Sequence, residues 1–250
     1  MSKAWNLSTN QWSEILLGGF KPDVLGDAVR KANVVPWGEV LLEYTSPFDS
    51  IMDLGSGRGD NAALLALHGK APTLVDWSAD NLNFSERLFA SIGASGRFCQ
   101  ADITKPLPFD SNSVDVVMSC GVFEYFSRDT VRDILREAFR VARKRVIIMV
   151  PNACSIPYRL GKWYMERTGQ WHWGGEVPSY TLKPDFRSAG AASVLEFSVA
   201  PQHSLQFLTM PKAGALAGVY RRLYASKSES EPALFRQGYL LVTIGDKTTH

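Results

Sequence analysis

The chain has 250 residues, 45% of them hydrophobic and 21% charged, with a formal net charge of +2. That balance suits one large α/β domain, argues against a nucleic-acid partner, and includes no apolar run of the roughly 18 residues that would span a bilayer. Cys99, Cys120 and Cys154 form an odd set without metal-ligand spacing, and Met1 to Asn6 carry no basic-then-apolar leader. Free thiols, no metal and a reducing, cytoplasmic setting are therefore expected.

Residues 1–47 read as an N-terminal helical segment and 48–152 as a half built from alternating apolar runs and amphipathic stretches. Ile51 to Leu54 predicts a strand, Asn61 to His68 a helix, and Thr73 to Asp76 a second strand. Ser78 is placed to cap the next helix, with Leu82, Leu88, Phe89 and Ile92 on its inner face and Gly93 just past its end. Phe98 to Ala101 and Val114 to Ser119 supply two further strands. Val131, Ile134, Leu135, Ala138 and Ala142 mark one helix face, and Arg143-Lys144-Arg145 read as the cationic end of that helix. Val146 to Val150 is apolar throughout, the pattern of a strand covered on both faces. Strands alternating with helices imply right-handed parallel crossovers in an open, doubly wound sheet.

Residues 153–190 are expected to form an aromatic cap. Within it lie Tyr158, Trp163, Tyr164, Trp171, Trp173 and Tyr180, with a bend at Gly174-Gly175. The segment is either a lid that brings Trp171 and Trp173 to an acceptor site, or a satellite core. Residues 191–250 continue the sheet through Val194 to Val199 and Gly238 to Ile244, around a helical excursion from Pro211 to Tyr224. Arg221-Arg222 fall on a solvated face of that helix, and Ser226 to Pro232 read as an exposed polar loop.

The chemistry concentrates in Asp53-Leu54-Gly55-Ser56-Gly57-Arg58-Gly59-Asp60, a strand running into a glycine turn and then a helix. Such a turn at the carboxyl end of the first strand is where open α/β sheets bind nucleotides. Dinucleotide sites place glycines first, third and sixth; here they fall first, third and fifth, with Asp60 at the sixth position. Asp53, before the turn, suits a ligand carrying a cationic amine better than one carrying a pyrophosphate. Asp76 ends the second strand, where an acid can accept hydrogen bonds from both ribose hydroxyls. Asp102 closes the third, where a carboxylate can accept from an adenine amino group with Ile103 flanking the ring; alternatively it caps a turn. Any one of these acids is ambiguous, whereas three at successive strand ends around one glycine turn are not.

Residues 51–61, 73–78, 99–103, 107–126 and 146–152 resemble the class I S-adenosylmethionine-dependent methyltransferases, most strongly the small-molecule branch of ubiquinone-biosynthesis type. The resemblance implies a Rossmann-like three-layer αβα sandwich, a mostly parallel seven-stranded sheet with an antiparallel last strand. S-adenosyl-L-methionine is the implied cofactor, and Asp53, Gly55, Ser56, Gly57, Asp76, Trp77, Asp102, Ile103, Ser119 and Cys120 the residues that would bind it. The implied acceptor is a small organic molecule, aromatic, lipid-like or a sugar, methylated on a hydroxyl, amine or carbon. Many relatives have histidine at the position of Tyr125, so a histidine role does not carry over. A base is needed only if the acceptor must lose a proton; Tyr125, His172, Glu124 and Glu176 are the polar candidates, none with an assigned role. A nicotinamide-dependent oxidoreductase would share the turn and the ribose acid, and a cofactor-binding protein without transfer activity would share every motif.

Overall fold

The computed structural model describes residues 8–31, 37–226 and 237–248. Three short helices lead the chain: α1 (Thr9–Leu17), α2 (Pro22–Arg30) and α3 (Gly38–Glu43). Strands and helices then alternate as β1 (Ser50–Leu54), α4 (Asp60–Leu67), β2 (Ala71–Asp76), α5 (Ala79–Ile92), β3 (Arg97–Gln100), β4 (Val114–Cys120), α6 (Arg128–Val141) and β5 (Ala142–Pro151). The remainder comprises α7 (Ile156–Arg167), α8 (Lys183–Ser188), β6 (Ser193–Val199), α9 (Pro201–Ser204), α10 (Ala213–Ser226) and β7 (Leu240–Asp246). The strands form one seven-stranded sheet of order β3-β2-β1-β4-β5-β7-β6. β1 to β5 pair in parallel, while β7 runs antiparallel to both β5 and β6. The expected three-layer fold with an antiparallel last strand is thus observed.

Alternation along each strand divides the apolar residues between two cores. Ile51, Leu74, Val116, Ile147 and Val242 face α2, α4 and α5. Their chain neighbours Met52, Val75, Val117, Ile148 and Leu241 face α6 and α8. The predicted caps are in place: the Ser78 hydroxyl accepts from Asn81 N, and Gly93 ends α5 with a left-handed φ of 68°. Gly238 and Tyr239 precede β7 rather than opening it. Of the predicted polar loop, Ser226 ends α10 and the rest lies outside the described residues. No helix among the described residues is long and apolar enough to cross a membrane.

One expectation is corrected. Arg143-Lys144-Arg145 do not end a helix, because α6 stops at Val141 and Ala142 already has extended backbone. The three cations open β5 and pair with acids at the same edge of the sheet. Arg143 donates to Asp115 at 2.7 Å, Lys144 to Asp49 at 2.7 Å and Arg145 to Asp246 at 2.9 Å. Ala142, placed on the helix face by periodicity, is buried as the first residue of that strand, opposite Val114.

At the other edge, Asn152 fixes the chain that enters β7. Its side-chain amide donates to Gly238 O at 2.8 Å, its carbonyl accepts from Cys154 N at 2.9 Å, and its backbone N donates to Tyr239 O at 2.9 Å. Asn152→Ala strips one buried and one half-buried backbone group of these side-chain partners. We expect a loss of about 1–3 kcal/mol, read as a lower urea midpoint at unchanged m value; an unchanged midpoint would show that the clamp contributes nothing.

Candidate functional site

One cavity of about 580 Å³ runs along the carboxyl ends of the parallel strands. Because β7 is antiparallel and pairs Leu240 with Pro151, its beginning lies at this same edge. The cavity wall therefore extends from Asp102, after β3, to Tyr239 and Leu240.

The glycine turn forms one end. Gly55, Gly57 and Gly59 all take left-handed backbone angles, with φ of 69°, 54° and 78°, which explains a glycine at the fifth position. A Cβ on Gly55 would stand 2.7 Å from Val122 Cγ2, and one on Gly59 2.8 Å from Leu74 Cδ2. Backbone N of Gly55 and of Ser56 both donate to Val75 O, at 2.8 and 3.1 Å. Gly57 N donates to Asp76 Oδ2 at 2.9 Å. Asp76 Oδ1 accepts from Ser78 N at 2.9 Å and from the Asn81 side chain at 3.2 Å. Burial holds this carboxyl above its usual range even against those donors.

The predicted binding residues divide. Gly55, Ser56, Gly57, Asp76, Trp77, Asp102, Ile103 and Cys120 all stand on the cavity wall. Asp102 also caps its own turn, accepting from Thr104 N at 2.9 Å and from the Thr104 hydroxyl at 2.7 Å. Ser119 is not on the wall; it is buried between strands, donating to Leu54 O at 2.6 Å. Asp53 is likewise behind the wall, 2% exposed, with Oδ2 lacking a hydrogen-bond partner. Burial, then the neighbouring Asp60 and Asp76 charges, lift it to about 8. The Cys120 thiol is pushed well up by burial and by Glu124, Asp53 and Asp60.

Sequence reasoning missed several wall residues. α1 contributes Trp12 and Leu16, and Trp37 and Tyr239 also face the cavity. The signal for α1 was present, since Ser8 and Gln11 form a capping box at its start and Trp12 and Leu16 share a face at i, i+4. Trp37 donates through Nε1 to Asn61 Oδ1 at 3.1 Å. Asp60 is on the wall with Arg58, which pairs with it at 2.9 Å and stacks on Phe20.

The far end combines aromatic rings with two acids. Glu124 lies in a 3₁₀ turn, Phe123–Tyr125, and is buried with Oε2 unpartnered. Burial and the Glu176 charge hold its carboxyl well above the usual range. Glu176 accepts from the Tyr158 hydroxyl and, at 3.5 Å, from the Tyr125 hydroxyl, while Lys162 Nζ approaches to 3.9 Å. Burial lifts it to about 7, against Tyr158 and Lys162. The segment is pinned to the sheet edge where Val177 N donates to Glu124 O and Ser179 N to Pro151 O, each at 2.9 Å.

Residues 155–180 divide between the cavity wall and an aromatic cluster away from it. Trp173 and Glu176 line the cavity. Trp171 instead packs near Tyr158 and Phe207, with the Lys162 ammonium 3.9 Å from its ring. His172 is exposed and off the cavity wall.

Residues 51–145 match a family described as a methyltransferase domain. No curated protein matches the chain. Among solved structures, a S-adenosylmethionine-dependent methyltransferase of Thermotoga maritima, a possible histamine N-methyltransferase, is 16% identical with a TM-score of 0.62, over 95% of this chain and all of that one. A S-adenosylmethionine-dependent methyltransferase of Archaeoglobus fulgidus is 17% identical with a TM-score of 0.60, over 94% and 98% of the two chains. Magnesium protoporphyrin IX methyltransferase of Synechocystis PCC 6803, with bound SAH, is 13% identical with a TM-score of 0.58, over 96% and 94%. Residues 51–145 thus match a methyltransferase domain, and the fold of the chain is that of solved S-adenosylmethionine-dependent methyltransferases.

The raised Asp53 makes stability depend on pH. Its unfolded form ionises near 3.8 and its folded form near 8, so between those values the folded chain holds the extra proton and loses stability as pH rises, by at most about 1.4 kcal/mol per pH unit. Asp53→Asn should therefore be stabilised over the parent by a margin that grows from about pH 5 to about pH 8. Melting-temperature differences that stay flat across that window would refute the burial of an ionisable carboxyl there.

Proposed function

We propose that the chain binds S-adenosylmethionine at the glycine-turn end of the cavity and methylates a small organic acceptor held at the aromatic, acidic end. A single observation carries this reading: one continuous cavity joins the glycine turn, Asp76 and Asp102 to Trp173, Glu124 and Glu176. The residues present fit the cofactor. Backbone at Gly55 and Gly57 lies on the wall without side chains, Asp76 stands on the wall at the end of β2, and Ile103 and Trp77 offer apolar faces beside Asp102. The orphaned Asp53 Oδ2, behind the turn, belongs to a carboxyl whose ionised form a nearby cationic amine would favour. Sheet order supports the same choice, since the dinucleotide-binding arrangement 3-2-1-4-5-6 has no antiparallel strand inserted between its last two positions, as β7 is here.

When bound, the cofactor supplies a methyl group already activated by the adjoining sulfonium. The chain's own task is then orientation and exclusion of water. Holding reactants in line supplies on the order of 7–11 kcal/mol in favourable cases. Trp12, Trp37, Tyr125, Trp173 and Tyr239 surround the space with apolar surface. Glu176, titrating near neutrality, is suited to take a proton from an acceptor that must shed one.

Calorimetry with S-adenosylmethionine and with NAD tests the cofactor assignment, and S-adenosylhomocysteine release across an acceptor panel tests turnover. Asp76→Ala should weaken S-adenosylmethionine by at least about tenfold, since each charge-assisted bond to ribose contributes roughly 1.5–3 kcal/mol and the same carboxylate holds the turn. Binding within about twofold of the parent, in a folded variant, would remove Asp76 from the site.

The two tryptophans should separate in the same assay. Trp173→Ala is expected to raise the acceptor KM while cofactor affinity stays put. Trp171→Ala, which opens a gap in the aromatic cluster, should instead lower the melting temperature and leave the KM of the folded enzyme alone. A thermal effect alone at Trp173 would make the whole segment a packing element.

A further inference from the structure

We propose that the methyl acceptor carries a basic amine on an apolar or aromatic body, with its nitrogen against Glu124 and Glu176 and its body against Trp12, Tyr125, Trp173 and Tyr239. This deepens the methyl-transfer reading and rests on it.

Glu124 carries the argument. It lines the cavity, is only 4% exposed, and keeps Oε2 without a hydrogen-bond partner. A buried, unpartnered carboxylate oxygen is costly unless a ligand serves it. Among the described residues no ion pair reaches Glu124, and the nearby cation is committed elsewhere. Lys162 sits 2.7 Å from Glu166, 3.9 Å from Glu176 Oε1 and over the face of Trp171. At the opposite end Arg58 is held by Asp60. A carboxylate or phosphate acceptor would face two buried acids here, with no free cation among the described residues to receive it. A hydroxyl has a single proton to divide between two acids, whereas a protonated amine brings several donors. Its positive charge is also attracted to the faces of tryptophan and tyrosine rings.

The surroundings agree. Tyr125, Tyr158 and Tyr239, the Cys120 thiol, Glu166 and Lys162 are the other titratable groups near the pair, and Lys162 is the one cation among them. Burial raises both carboxyls, so an arriving ammonium makes their ionised forms favourable and expels a proton to solvent. A bound ammonium must itself pass a proton to one of these carboxylates before its nitrogen lone pair is available.

Phenethylamine and tryptamine, with phenethyl alcohol and phenylacetate as shape-matched controls, are titrated calorimetrically into the whole chain, with and without saturating S-adenosylhomocysteine. Amines should bind at least about tenfold more tightly than the alcohol, with heats that vary with buffer ionisation enthalpy because protons are released. In Glu124→Gln the preference should shrink to about twofold or less, with S-adenosylhomocysteine affinity retained. Equal or tighter binding of the alcohol or the carboxylate, no binding by either amine, or an undiminished preference in folded Glu124→Gln would overturn the assignment. If S-adenosylhomocysteine binds normally in that case, only the amine inference falls. If it fails to bind at all, the methyl-transfer reading falls and the acceptor assignment with it.

Discussion

The turn after β1 is suspended from the end of β2: Gly55 N and Ser56 N share the carbonyl of Val75, and Gly57 N is held by the Asp76 carboxylate. Each of these bonds needs backbone that swings into the left-handed region at alternate residues, where an L side chain costs roughly 1–2 kcal/mol. Glycine at 55, 57 and 59 removes that cost, and at 55 and 59 it also makes room for Val122 and Leu74. The same Asp76 accepts from Ser78 N and Asn81, so the turn and the start of α5 share one buried anchor. Ser78 in turn meets the Ser13 hydroxyl of α1 at 2.8 Å. That contact docks α1, whose Trp12 and Leu16 cover the cavity, so this leading helix shares its anchor with the turn.

Charge is distributed very differently along the two edges of the sheet. At the edge where β5 begins, Asp115 accepts from Ser50, Lys144 and Arg143; burial alone would raise it, but these bonds hold it well below the usual carboxylate range. Acids there are compensated and belong to the architecture. At the opposite edge Asp53, Asp76, Glu124 and Glu176 are all raised by burial, with Lys162 reaching only Glu176 among them. Buried acids without cations weaken a fold, and such groups cluster where a ligand completes the environment. A net charge of +2 for the whole chain conceals this separation.

The divided aromatic segment follows from the way it is anchored. Tyr158 and Trp171 are drawn into a cluster with Phe207, which lies beyond β6. Gly161 allows the approach, because a Cβ there would collide with the Phe207 backbone. Trp173 stays at the cavity because Val177 and Ser179 are tied to Glu124 and Pro151. The tryptophans are two residues apart in sequence and serve different structures.

Features set by neighbouring residues were legible in the sequence: the alternating strands, the caps at Ser78 and Gly93, and the glycine turn, whose pattern directly reports the backbone angles it adopts. Those properties depend on torsions and contacts within a few residues. Other outcomes depended on partners far along the chain. Arg143 to Arg145 are as compatible with a helix end as with a strand, and the pairing of Arg145 with Asp246 decides for the strand. Parity within β4 turns Cys120 to the cavity and Ser119 toward Leu54, so adjacent residues of similar size part company. Asp53 recedes behind the wall that Asp60 occupies, and Trp12, Trp37 and Tyr239 reach the cavity from segments far from the glycine motif. The sequence by itself determined which backbone conformations form and in what order; the tertiary structure alone decided which side chains meet at the cavity, because strand register and helix docking are fixed by packing between segments distant in the chain.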